Sequence, residues 1–64
     1  MLKMQDKSLT LMVEQSTGNW REVKRIDNTS SQYVSGQLKL VQNTNPGKRV
    51  KAVDADGRLI DMLG

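Results

Sequence analysis

Sixty-four residues allow one domain at most, and a chain this short hides only about 60% of the surface its unfolded form exposes, so its stability is marginal. With 36% apolar residues, no Phe, one Trp and one Tyr, the core must be built from Leu, Val, Ile, Met and Ala, and such a core typically supplies roughly 3–5 kcal/mol at this size. The absence of Cys and His excludes a disulfide, a thiolate metal site and the commonest general base, and a net charge of +3 names no partner.

The leading stretch "MLKMQDKSLTLMV" interrupts its apolar residues with Lys3, Asp6 and Lys7. It offers no continuous apolar run for a signal peptide, still less for a membrane span, so a cytoplasmic protein without membrane contact is expected. Residues 1–7 are a candidate disordered segment. The sequon Asn28-Thr29-Ser30 has no meaning without a secretory signal.

Residues 8–15, "SLTLMVEQ", alternate Leu9, Leu11 and Val13 with Thr10, Met12 and Glu14, the period-2 pattern of a half-buried strand. "STGN" follows, and then "WREVKRI", a second strand rich in β-formers. Ser16 and Thr17 as turn centre with Gly18 left-handed give a hairpin over 8–26 whose three-residue loop closes on a bulge. That register sets Leu11 opposite Val23 and leaves Met12, Trp20 and Glu22 on the other face. Arg21 and Arg25 then share the face of Val23 and must lie toward the sheet margin, with packed stems and solvated heads.

A helix is expected over 30–43. Thr29 and Gln32 fit a capping box, and Val34, Leu38 and Val41 recur at helical period, with Tyr33, Gln37 and Leu40 as the adjoining row. Gly36 costs about 1 kcal/mol relative to Ala inside a helix and suggests close approach to the sheet. Asn43 to Gly47 should end the helix, since Asn tolerates a left-handed cap and Pro46 cannot continue it.

The stretch "PGKRVKAVDADGRLID", residues 46–61, is dense in turn residues and charges. It lacks the glycine spacing and following helix of a phosphate loop, and the first and twelfth ligands of a calcium loop. A hairpin over 48–63 fits every residue. Asp54 opens a type I turn, Ala55 and Asp56 form its centre and Gly57 takes positive φ. The expected partners are Asp54 with Arg58, Lys51 with Asp61, Val53 with Leu59, Ala52 with Ile60 and Val50 with Met62. The rival two-residue turn would set Ala52 against Asp61, a poorer match.

Strand, strand, helix, strand, strand makes a single two-layer α+β domain of ββαββ order, one helix packed on an antiparallel sheet of about four strands. The framework Trp20-x-x-Val23, an amphipathic helix, then Pro46-Gly47-x-Arg49-Val50-x-x-Val53-Asp54-x-Asp56-Gly57-Arg58-Leu59 resembles small uncharacterised ββαββ proteins of bacterial phages and plasmids. The likeness covers about residues 9–63, rests mostly on turn and core positions, and implies no catalytic or binding residues. The chain also resembles the arm-type DNA-binding domains of phage integrases, which pack a small sheet on one helix but normally lack the terminal hairpin.

Catalysis has few parts to work with. Without His or Cys, a nucleophile would be Ser or Thr served by Lys or a carboxylate, and the hydroxyls sit in turns and a helix cap. Asp54, Asp56 and Asp61 are accounted for by a hairpin tip with charged partners. A non-enzymatic binding or accessory module of phage or mobile-element type is therefore expected, with no catalytic residues, cofactor, metal or small-molecule substrate. Its candidate contacts for a protein partner or a homodimer are Met12 and Trp20 on the sheet face away from the helix, with Ile26 or Val53 beside them. The alternative is nucleic-acid binding by a basic sheet face of Arg21, Lys24, Arg25, Lys48, Arg49 and Lys51, with Trp20 or Tyr33 for stacking. The strand order discriminates: those charges merge only if the second and third strands are neighbours.

Overall fold

The computed structural model describes residues 8–27 and 29–64. The candidate disordered segment 1–7 and the sequon residue Asn28 lie outside the described residues. The elements are β1 (Leu9–Ser16), β2 (Asn19–Ile26), α1 (Ser31–Thr44), β3 (Val50–Val53) and β4 (Leu59–Leu63). All four strands join one antiparallel sheet in the order β2-β1-β3-β4, so the chain is the expected ββαββ α+β fold.

The helix connection returns the chain beside its first strand rather than its second. Leu11 faces Ala52 and Val13 faces Val50, and with Leu9 they form an apolar strip on one sheet face. Val34, Leu38 and Val41 of α1 cover that strip, and Ile26 closes it at the β2 end. All nine of these residues are buried, and each Val, Leu or Ile withdrawn from water contributes about 1.5–3 kcal/mol. The periodicities that mark these residues in the sequence are thus the ones that bury them.

The second turn forms as expected, but the first is tighter: Ser16 ends β1 and pairs with Asn19, so the loop is Thr17 and Gly18 alone and Gln15 is the extra residue. Gly18 has φ 76° and Gly57 φ 83°. In the second turn the Gly57 N–H donates to the Asp54 carbonyl at 2.9 Å and the Asp54 N–H to the Arg58 carbonyl at 3.0 Å. The Asp54 carboxylate also accepts from the N–H groups of Asp56 and Arg58, at 2.9 and 2.8 Å. Arg58 approaches Asp54 at 3.6 Å and Asp56 at 3.5 Å, contacts too exposed to contribute much.

The registers need correction beyond each turn. In the first hairpin Met12 faces Glu22 and Val13 faces Arg21, but Leu11 faces Lys24, leaving Val23 as an extra residue. In the second, Val53 faces Leu59, but Ala52 faces Asp61 and Lys51 faces Met62, leaving Ile60 extra. The Leu11–Val23, Lys51–Asp61, Ala52–Ile60 and Val50–Met62 pairings therefore do not form. Asp61 meets Ala52 through a bulge, not through the rival turn. The bulges at Val23 and Ile60 fall on the outer strands, where extra twist opposes pairing with another sheet edge. The first one moves Arg25 opposite Thr10, off the face it was expected to share with Val23 and Arg21.

The helix cap is Ser30, not Thr29. The Ser30 hydroxyl accepts from the Tyr33 N–H at 3.2 Å, so α1 starts one residue later than expected. At its other end Asn45 caps with φ −133°, and Gly47, φ 81°, supplies the left-handed residue. Gly36 does not approach the sheet: it is exposed, and a Cβ there would meet nothing within 4 Å.

Candidate functional site

α1 packs on β1, β3 and β4 and covers one face of the sheet. Alternation along each strand sends the other half of the side chains to the opposite face, which no described element covers. Cross-strand partners arrange that open face in rows. Glu22, Met12, Lys51 and Met62 form the central row across β2, β1, β3 and β4. Arg25, Thr10, Val53 and Leu59 form the next toward the second turn. Trp20 and Glu14 lead the third, continued by Arg49, whose carbonyl accepts from the Glu14 N–H at 2.9 Å, and by Gly64, packed against Arg49. Met12, Trp20, Lys51, Val53 and Met62 are half-buried, while Leu59 is 58% exposed.

Trp20 is the centre of an electrostatic cluster. The Lys51 ammonium lies 4.2 Å from its ring centroid and the Arg49 guanidinium carbon 5.7 Å away, both within reach of the ring's negative face. Arg49 also grips Glu14 with two hydrogen bonds, Nε to Oε1 at 2.8 Å and Nη2 to Oε2 at 3.0 Å. The Gly18 N–H donates to Glu14 Oε2 at 2.8 Å, tying the first turn to the same carboxylate. The Arg49 hydrogen bonds, followed by that of Gly18, lower the Glu14 pKa to about 2, and the Arg49 pKa is raised in return. The cluster thus fixes Trp20 between a turn and a charged strand end.

Of the candidate protein contacts, Met12, Trp20 and Val53 share the open face. Ile26 does not: facing Leu9, it is 5% exposed in the core beneath the helix layer. The six candidate basic residues do not converge, because β1 separates β2 from β3. Arg21 and Lys24, opposite Val13 and Leu11, stand on the helix side, where the Lys24 ammonium donates to Gln37 Oε1 at 2.6 Å. Arg25 belongs to the open face, and Lys48 donates to the Gln15 carbonyl at 3.1 Å. Arg49 is paired with Glu14, and Lys51 rests on Trp20. Tyr33, 41% exposed on α1, lies across the sheet from Trp20.

Sequence reasoning missed two features of this face. Met62 joins it because the bulge at Ile60 turns it away from Val50, and no residue in "RLIDML" signals that shift. The Glu14–Arg49 pair spans 35 positions, and the sequence offers no local pattern for it. Among the described residues no group of three or more His, Cys, Asp or Glu could hold a metal ion, and no helix is long and apolar enough to cross a membrane. No family model matches the chain, and neither does any curated protein or solved structure.

Proposed function

We propose that this chain is a non-enzymatic accessory module that binds a protein through its open sheet face. One observation carries the reading: Trp20, Met12, Val53, Met62 and Leu59 gather on a sheet face over which no described element packs. Apolar side chains gathered on an uncovered face mark contact sites, and Trp is the residue type most enriched among those that dominate binding energy. A phage or mobile-element setting rests on the sequence resemblance alone.

The nucleic-acid alternative has less support. A base would need a ring face of Trp20 to stack on, and the Lys51 ammonium already occupies one. Glu14 sits among the cations of the same face and would repel phosphate, while Arg21 and Lys24 point to the other side. Affinity capture from the source cells tests the choice. Partner recovery should be lost with Met12→Ser and Val53→Ser but kept with Leu40→Ser, which changes an exposed residue of α1. DNA or RNA binding that weakens steeply with salt and ignores the two open-face changes would overturn the reading.

A further inference from the structure

We infer that the partner of the open face is a second copy of this chain, stacked face to face about a two-fold axis; the inference rests on the binding role proposed above. Pairing by sheet edges is disfavoured, since β2 and β4, the two outer strands, both carry bulges that oppose strand addition. The open face is left, and its charges are arranged to fit themselves.

The central row reads acid, apolar, base, apolar: Glu22, Met12, Lys51, Met62. Neither Glu22 nor Lys51 has an ion-pair partner among the described residues. Within one chain they stand two strands apart, on either side of Met12. A two-fold axis parallel to the strands and midway between β1 and β3 reverses the row, in the way that an isologous contact pairs one patch with itself. Met12 then covers the second copy's Lys51 stem, and Glu22 covers the second copy's Met62. Seen down onto the sheets, each Glu22 is offset from the opposing Lys51 by one strand spacing, about 4.8 Å. The sheets themselves stack about 10 Å apart, a gap that Glu and Lys side chains span together.

The other rows fit the same operation. Glu14 comes over the second copy's Arg49, doubling a pair each chain already makes. Trp20 comes over the second copy's Gly64, where no side chain competes for its volume. Thr10 covers Val53, and the aliphatic stem of Arg25 covers Leu59. No like charges are set directly opposite. The face thus buries Lys51 only where it also supplies a carboxylate, which avoids the cost of stranding a charge in an apolar contact.

Charge reversal with mixing tests this directly. Sedimentation velocity over a concentration series should show wild-type chain associating to a dimer. Glu22→Lys and Lys51→Glu should each weaken that dimer by about tenfold or more, as like charges replace attracting ones. An equimolar mixture of the two variants restores both cross pairs at once, Lys with Glu on each side of the axis, so the mixture should dimerise at least as tightly as wild type. Should Lys51→Glu fail to fold, Glu22→Gln keeps the test, since it must also weaken the dimer. A mixture that stays monomeric overturns the arrangement. Wild-type chain that stays monomeric at every concentration also overturns it, while capture of a different protein through Met12 and Val53 would leave the binding role standing.

Discussion

Alanine at Gly36 and alanine at Gly57 make the same chemical change in two backbones, and the structure gives them opposite signs. Neither new Cβ meets an atom within 4 Å, so packing cancels from the comparison. Gly36 lies inside α1, where Ala is favoured over Gly by about 0.8–1.0 kcal/mol, and Gly36→Ala should stabilise by that amount. Gly57 has φ 83°, a region that costs an L-residue roughly 1–2 kcal/mol. Stiffening of the unfolded chain returns about 0.4–1 kcal/mol, leaving a net loss near 1 kcal/mol for Gly57→Ala. In a domain of this size about 1 kcal/mol moves Tm by roughly 4–8 °C, so the two variants should melt on opposite sides of wild type. Circular-dichroism melts at two protein concentrations separate this from any change in association. Gly36→Ala melting at or below wild type would refute an open outer face of α1. Gly57→Ala at or above wild type would refute the turn.

Ser30→Ala should cost about 0.5–2 kcal/mol by leaving a first-turn N–H unpaired, while Thr29→Ala should cost less; urea titrations that reverse this ranking contradict the cap. Leu38→Ala removes a fully buried side chain at about 2–5 kcal/mol, against a core worth roughly 3–5 kcal/mol. Its circular-dichroism melt should therefore shift far below that of wild type, and a Tm within a few degrees of wild type would deny Leu38 its place in the core. Glu14 has its pKa lowered from 4.5 to about 2, so its stabilisation is present above pH 4.5 and lost as pH falls through about 2. Glu14→Gln should flatten the pH dependence of Tm in that window, and an unchanged slope would deny Glu14 this role.

The fold was legible because each element carries its own signal. Leu9, Leu11 and Val13 alternate, Val34, Leu38 and Val41 recur at helical period, and Gly18 and Gly57 stand where turns need positive φ. The cap was misplaced by one residue because Thr29, Ser30 and Ser31 all offer a hydroxyl, and only the entry angle of the chain selects Ser30. The bulges at Val23 and Ile60 were hidden because a one-residue insertion in an outer strand leaves its composition unchanged. They mattered for the site, since one of them places Met62 on the open face. An unbroken register keeps Ile26 on the face of Trp20, whereas the bulge at Val23 shifts it opposite Leu9 and into the core. The first hairpin's register places Trp20 opposite Glu14 on the open face, but its contacts with Lys51 and Arg49 depend on β3 lying beside β1, which follows from the path of the helix connection.

A binding role requires the open face to be covered when the protein works, and Trp20, the one tryptophan of the chain, reports on that face. Acrylamide quenching of its fluorescence, measured in dilute monomer and again under conditions where the chain is fully associated, compares the two states directly. Trp20 should be readily quenched in the monomer and markedly protected in the associated state, with a blue shift of the emission as water leaves the face. Equal quenching in both states, or strong protection already in the monomer, would contradict that role.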